Sequence, residues 1–286
     1  MLKEILWTSA DGLELLFTRE SSQLQFESAH QGIQFFSRQD ITQQAPFQQG
    51  NTLLRSQQNP RIIKFGVHVH VIPLTGDDSS GGDYLDLDSL RILFGRALAA
   101  VNAAELKNEG TLTFNYYNGN TRTIGAHPLE GVPGIRQTPI YQHFDINFES
   151  NDPYFLNDEQ SQAGIEPDDI ITISNAGHVQ TYPIIHITGP CNSPRITNQR
   201  TNKYILLTTY DLDADHRLEI DFRVGKKTLY EVLLADETVR VSVFQYLTDP
   251  ATEFWPLLTG DNDILFESAS GGEMEIFWTE RFFAIG

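Results

Sequence analysis

The sequence predicts an all-β protein with one main helix, divided into two domains. Three observations carry this reading: repeated period-two alternation, turn dipeptides between the alternating runs, and a polar interruption near the middle. At 286 residues the chain is long enough for two ordinary domains, each with its own core.

Alternation gives a strand one apolar and one polar face. It is cleanest over residues 61–72, where Ile63, Phe65, Val67, Val69 and Val71 alternate with Lys64, Gly66, His68 and His70. Leu112, Phe114 and Tyr116 repeat the pattern, as do Phe144, Ile146 and Phe148 against His143, Asp145 and Asn147. In the second half it returns at Leu218, Ile220 and Phe222, and at Val239, Val241 and Val243. Asp11-Gly12 and Asn118-Gly119 follow apolar runs, and both dipeptides tolerate the positive φ of tight hairpins.

One segment has helical spacing instead. Leu90, Leu93, Phe94, Ala97, Leu98 and Val101 form a stripe within a helix expected at about 88–104, with Asp88 or Ser89 as its cap. A glycine- and serine-rich stretch, Thr75–Asp83, precedes it as a flexible loop. The polar stretch Asn157–Asp169, containing Gly164 and Pro167, reads as part of a linker. The expected division is therefore residues 1–156, a linker at 157–178, and residues 179–286.

The net charge of −18 repels nucleic-acid phosphates and anionic membranes, so the composition argues against a DNA-wrapping or membrane-binding protein. No apolar run is long enough to cross a bilayer, and Met1-Leu2-Lys3-Glu4-Ile5 does not read as a secretory signal. The single cysteine, Cys191, excludes an intramolecular disulfide and multi-cysteine metal sites.

Few residues suggest chemistry. His68 and His70 share a strand face, and a zinc or nickel site can begin this way. It would need further ligands, no second His-x-His is present, and a polar face carrying histidines is the favoured reading. Asp211-Leu-Asp213-Ala-Asp215 starts like a calcium loop, but His216 and Phe222 stand where that loop needs glycine and glutamate. An acidic hairpin turn is the better description. Neither a nucleophile elbow nor a phosphate loop is present. The sequence thus assigns no catalytic, cofactor-binding or metal-binding residue, and implies no enzyme and no cofactor.

Several segments in order resemble the siphophage distal tail protein family. Tyr182-Pro183-Ile184-Ile185-His186-Ile187-Thr188-Gly189, followed by Asn192-Ser193-Pro194-Arg195-Ile196-Thr197-Asn198, is similar to the start of its C-terminal domain, with Ser193 inserted between Asn and Pro. Thr208–Phe222 looks like its strand, acidic turn and strand. Phe254-Trp255-Pro256-Leu257-Leu258-Thr259-Gly260-Asp261-Asn262-Asp263-Ile264 resembles its "F-x-x-L-x-x-G-x-N-x-I" hairpin, and Glu275–Gly286 its final aromatic strand. Phe47–Gly50, Arg61-Ile62-Ile63 and Asn151-Asp152-Pro153-Tyr154-Phe155 match more loosely.

The resemblance implies a ring-forming N-terminal β-domain and a C-terminal galectin-like β-sandwich, whose last strand can return to the N-terminal domain. It implies a homo-hexameric ring at the virion tail tip, made in the bacterial host cytoplasm. Its partners would be the tail tube protein, a tail hub or tip protein, and receptor-binding or baseplate proteins, with DNA passing through the channel unbound. Strand Arg61–Ile72 and the helix are the candidate interface elements. Two alternatives are a carbohydrate-binding module using the C-terminal sandwich and a ring protein of a tail-like injection particle. Trp278-Thr-Glu280-Arg281 does not keep the spacing of a galectin sugar site and reads as sheet packing.

Overall fold

The computed structural model describes residues 2–9, 12, 14–18, 24–31, 38–43, 52–70, 110–129, 136–137 and 141–284. The helix expected at 88–104 and the loop Thr75–Asp83 lie outside the described residues. Among the described residues the regular structure is β, apart from one 3₁₀ turn at Phe244–Tyr246. The chain divides into two compact units, Met1–Phe155 with Phe283–Gly286, and Leu156–Phe282.

The first unit holds β1 (Leu2–Thr8), β2 (Glu14–Thr18), β3 (Leu24–Gln31), β4 (Arg38–Gln43), β5 (Thr52–Gln58), β6 (Arg61–His70), β7 (Gly110–Tyr116), β8 (Thr121–Pro128), β9 (Arg136–Gln137) and β10 (Tyr141–Ser150). Seven of them run in the order β8-β7-β1-β2-β3-β6-β10, and β10 pairs with β8 again at Phe148↔Pro128 and Glu149↔His127. The sheet therefore closes into a barrel, which removes the free edges an open sheet would expose. β4 and β5 form a separate hairpin.

Alternation fills this barrel as the sequence predicts. Ile5 and Trp7, Ile63, Phe65 and Val67, Leu112 and Phe114, and Ile146 and Phe148 are all buried. Phe65 lies between Phe148, at 5.9 Å between ring centroids, and Phe17, at 5.3 Å, while Trp7 meets Phe148 at 5.8 Å. The expected turn at Asn118-Gly119 closes β7 onto β8. Gly119 has φ +84° and donates its N–H to the Tyr116 carbonyl at 3.0 Å.

Arg61 is a charged residue in the buried set, 1% exposed. Its Nη2 donates to the Phe283 carbonyl at 2.6 Å, and its guanidinium lies 4.4 Å from the Phe155 ring centroid. Burial pulls its pKa down to about 10, which still leaves it charged at neutral pH. Through this contact Phe283, which follows β22, is held in the first unit.

The second unit contains β11 (Phe155–Ile165), β12 (Ile170–Asn175), β13 (Ile184–Thr188), β14 (Cys191–Asn192), β15 (Arg195–Asn198), β16 (Lys203–Leu206), β17 (Asp211–Leu212), β18 (His216–Asp221), β19 (Thr228–Leu233), β20 (Asp236–Ser242), β21 (Gly260–Glu267) and β22 (Glu273–Phe282). One sheet runs β20-β19-β18-β13-β22-β11 and the other β12-β21-β15-β16. A single apolar core joins them: Ile185, Leu218, Ile220, Leu229 and Ile276 from the first sheet, Ile173, Ile196, Ile205, Ile264 and Phe266 from the second. This is a β-sandwich.

Two expectations change here. The stretch at 157–178 is not a bare linker, because it carries most of β11 and all of β12. Ladder hydrogen bonds use only the backbone, so a polar segment such as Leu156-Asn157-Asp158-Glu159-Gln160-Ser161 can pair without any apolar alternation to reveal it. The second change is β20. Its alternation predicts a buried valine face, but Val239 and Val241 are 46% and 57% exposed, and only Val243, just past the strand, is buried. β20 is the outermost strand of its sheet, and the core ends at β19.

Gly189, at the end of β13, sits where a Cβ would overlap the backbone carbonyl of Asp213. Backbone cannot give way as a side chain can. Gly189→Ala should therefore destabilise the protein by about 1–3 kcal/mol, measured by urea denaturation. Gly225→Ala, also at a turn, meets no atom within 4 Å and separates the two costs, since only its positive φ of +79° opposes substitution.

Candidate functional site

The residues singled out in the sequence fall into distinct settings. Cys191 is buried on β14, with its Sγ 3.2 Å from the Ser268 hydroxyl. Burial pushes its thiol pKa up, against a smaller lowering from Ser268. A thiol held protonated is a poor nucleophile, so Cys191 is a packing residue.

Asp213, Asp215 and His216 form the turn between β17 and β18, with potential ligand atoms within 4.8 Å of one another. Both aspartates are exposed. His216 Nδ1 lies 2.7 Å from Asp215 and its Nε2 3.7 Å from Glu231, so the ring already has partners on both sides. Asp211 bonds the Asn192 amide across β14 and β17. This is the acidic hairpin the sequence suggests.

Trp278 packs partly buried against the sandwich core. Glu280 is occupied by structure: it accepts the Ala176 N–H and the Asn157 amide, each at 3.1 Å. Those bonds tie β22 to its surroundings.

The polar side of the six-stranded sheet carries an ion-pair network. Glu219 accepts from Arg217 at 2.5 Å and Arg240 at 2.9 Å, and His186 lies 3.8 Å from the same carboxylate. Desolvation, with Arg217 second, lowers the His186 pKa.

The family-like motifs acquire a structural meaning at one segment. Three fully buried asparagines, Asn175, Asn198 and Asn262, all bond the stretch 256–260. Asn175 donates to the Leu257 carbonyl at 3.3 Å, and Asn198 to the Pro256 carbonyl at 3.2 Å. Asn262 donates to the Leu258 and Gly260 carbonyls at 2.7 and 2.8 Å and accepts the Leu258 N–H at 2.9 Å. Arg200 adds bonds to the Thr259 and Asp261 carbonyls at 2.7 and 2.8 Å. The segment has little regular structure, so side-chain amides replace the missing ladder. Asn198 is the last residue of the family-like segment Asn192–Asn198, and Asn262 is the Asn of the "F-x-x-L-x-x-G-x-N-x-I" hairpin.

His68 and His70 stand on β6 as expected. Strand pairing adds a residue that the sequence left unconnected to them: His143 of β10 is the register partner of His68. The alternation at 143–148 had marked His143 only as part of a polar strand face.

Residues 176–282 match the family model of the siphovirus-type tail component, C-terminal domain. The matched residues fall within the sandwich unit. Across the whole chain the fold is similar to the crystal structure of SPP1 Dit, described as a paradigm of the hub adsorption apparatus in phages infecting Gram-positive bacteria. That likeness has a TM-score of 0.65 at 13% identity and covers 97% of this chain and 99% of that one. A chain of the phage P2 baseplate in its activated conformation with Ca is also similar, with a TM-score of 0.51 at 8% identity and full coverage of both chains. None of the curated protein sequences compared matches the chain. The domain match lies in the C-terminal part of the chain, and the structural likeness shows a shared fold along its length.

Proposed function

We propose that the protein is a structural ring of a phage tail tip, a homo-hexamer joining the tail tube to the baseplate or adhesion apparatus. The observation that carries this reading is the tail-component domain at 176–282 on a chain that shares its fold end to end with the SPP1 hub protein. The role is architectural rather than catalytic. In this reading the first unit forms the ring, and the C-terminal sandwich holds receptor-binding or baseplate components. A ring uses one heterologous interface repeated until it closes.

The net charge of −18 per chain suits a channel through which DNA passes without adhering. Light scattering and negative-stain microscopy of the full chain test the reading. Closed six-membered rings are expected, and a strictly monomeric protein at high concentration overturns it. The charge is tested separately: lysine replacements of channel-lining carboxylates should slow DNA ejection from assembled particles while rings still form.

A further inference from the structure

The outer strands of the six-stranded sheet in the sandwich end in two chemically opposite surfaces. β18 and β19 pair from Asp221↔Thr228 to His216↔Leu233, and β20 pairs with β19 from Leu233↔Asp236 to Tyr230↔Ser242. The turn 223–227 therefore lies at one end of these strands. Phe244 lies there too, since the preceding Val243 N–H bonds the Leu229 carbonyl at 3.1 Å. Segments 211–216 and 234–238 lie at the other end, joined by the Leu234 N–H bond to the Asp215 carbonyl at 2.9 Å.

The first end is basic. The turn reads Arg223-Val224-Gly225-Lys226-Lys227 and contains no carboxylate. Arg223 is paired with Asp221 at 2.7 Å, so Lys226 and Lys227 carry the net charge. Lys227 lies 5.2 Å from the Phe254 ring centroid, and Phe254 meets Phe244 at 6.3 Å. The other end is acidic. Asp211, Asp213, Asp215, Asp236 and Glu237 are all exposed, and neither segment contains a lysine or arginine. Arg217 offsets Glu237 at 3.5 Å, so the aspartates carry the net charge.

Both ends are apolar as well as charged. Val224 and Phe244 are exposed at the basic end, Leu234 at the acidic end, and Val239 and Val241 along β20 between them. Among the described residues, five of the ten exposed large hydrophobics thus fall within 224–244. Single exposed apolar side chains are ordinary, but a concentration rimmed by charge marks a contact surface. The turn itself does not call for Val224, because Gly225, with φ +79°, supplies its backbone conformation.

We propose that the basic end of the sandwich docks onto the acidic end of the sandwich in a second copy of this chain. Val224 and Phe244 of one copy meet Leu234 of the next, and Lys226 and Lys227 face Asp213 and Asp236 around them. This is the usual division of an interface into apolar centre and polar rim. The two ends cannot satisfy each other within one copy. The length of β18, His216–Asp221, at about 3.3 Å per residue keeps them roughly 20 Å apart, beyond the screening length of about 8 Å at physiological salt. In a chain of net charge −18, copies repel one another unless a local basic surface meets an acidic one. The charges therefore orient the contact, and the apolar residues supply its affinity. Two different surfaces make the contact heterologous, so it passes from copy to copy and closes where the rotation allows. It deepens the ring reading and rests on it for closure.

The test treats the full-length chain with a carbodiimide, which joins an amine to a carboxylate without a spacer, and identifies the linked peptides by mass spectrometry. Links from Lys226 or Lys227 to the 211–215 and 236–237 carboxylates are expected. At that separation they form only between copies, and a mixture of isotopically labelled and unlabelled protein verifies this. Their yield should fall as salt rises. Val224→Ser with Leu234→Ser changes no charge and should lower the yield several-fold, whereas Ile170→Ser, at an exposed apolar residue elsewhere on the sandwich, should leave it unchanged. Lys226→Glu with Lys227→Glu makes both ends acidic, and Asp213→Lys with Asp236→Lys removes the acidic end. Neither variant alone should link, and mixing the two should restore links between them. No restoration on mixing overturns the proposal. Closed rings seen by microscopy without these links overturn it and leave the ring reading standing. Links in a protein that forms open chains uphold the contact and overturn the closed ring, and a strictly monomeric protein overturns both.

Discussion

Replacing Trp255 by alanine should lower the stability of the C-terminal sandwich by about 3–5 kcal/mol, the largest loss expected from any single core truncation in it. Trp255 is fully buried, and its ring lies 4.7 Å from that of Phe222, which in turn meets Phe254 edge-on at 5.3 Å. Alanine leaves a void that both the β18 end and the 254–258 segment would have to collapse into. That segment is fixed by the three buried asparagines, so relaxation is limited and the cavity cost stays near its upper range. Trp255→Phe separates packing from polarity. The indole Nε1 has no hydrogen-bond partner among the described residues, so phenylalanine removes a buried unpaired donor while keeping an aromatic ring. Its loss should be well under half that of alanine. Val241→Ala on the exposed β20 should change stability by less than about 0.5 kcal/mol. The checks are urea denaturation midpoints and Tm, with a fall of roughly 10 °C or more for Trp255→Ala. A Trp255→Ala variant as stable as Val241→Ala would show that the 254–258 segment is not part of the core.

The contrast between Trp255 and Val241 also shows which parts of the fold can be read from sequence. β6, β7, β10 and β18 declare themselves because one face is buried and the other is wet, which is the condition period two reports. β20 has the same valine alternation, yet both its faces are exposed, because alternation encodes a capacity for burial rather than a neighbour to be buried against. β11 is hidden for the opposite reason: its pairing is made by backbone groups and its side chains carry no periodic signal. Barrel closure through β8 and β10 rests on two residue pairs about twenty positions apart in sequence, and no local pattern specifies such a contact. The same limit applies to His143. His68-x-His70 is visible as a motif, whereas the backbone pairing of His143 with His68 exists only through strand register. The motif likeness at Asn198 and Asn262 was legible as a pattern, but the reason for those amides lies in carbonyls of a segment that the sequence shows merely as a hairpin.

Asn262→Leu should cost about 2–4 kcal/mol, although leucine is similar in size and the position is fully buried. Apolar burial alone would make the change favourable. What opposes it is accounting at the backbone: the Leu258 N–H loses its acceptor, and the Leu258 and Gly260 carbonyls lose their donor, three part-buried hydrogen bonds made by the fully buried Asn262 side chain. Unpaired buried groups cost more than the hydrogen bonds they once made contribute. Asn262→Asp sharpens the test, because it keeps an acceptor for the Leu258 N–H and replaces the amide donor with a second oxygen. An ionised carboxylate there faces two carbonyl oxygens without solvent, so its pKa in the folded protein must rise above the unfolded value of about 3.9. A carboxyl whose folded pKa is raised binds its proton more tightly in the native state. The variant is then closest to wild type below about pH 4 and loses stability as pH rises from there toward its folded pKa. Asn262→Leu has no such titration, and its deficit should be flat over the same range. Urea melts of the three proteins from pH 3 to 8 distinguish the cases. A pH-independent Asn262→Asp deficit, or a leucine variant as stable as wild type, would mean that the 256–260 segment is held by packing alone and that the asparagine amides are incidental to it.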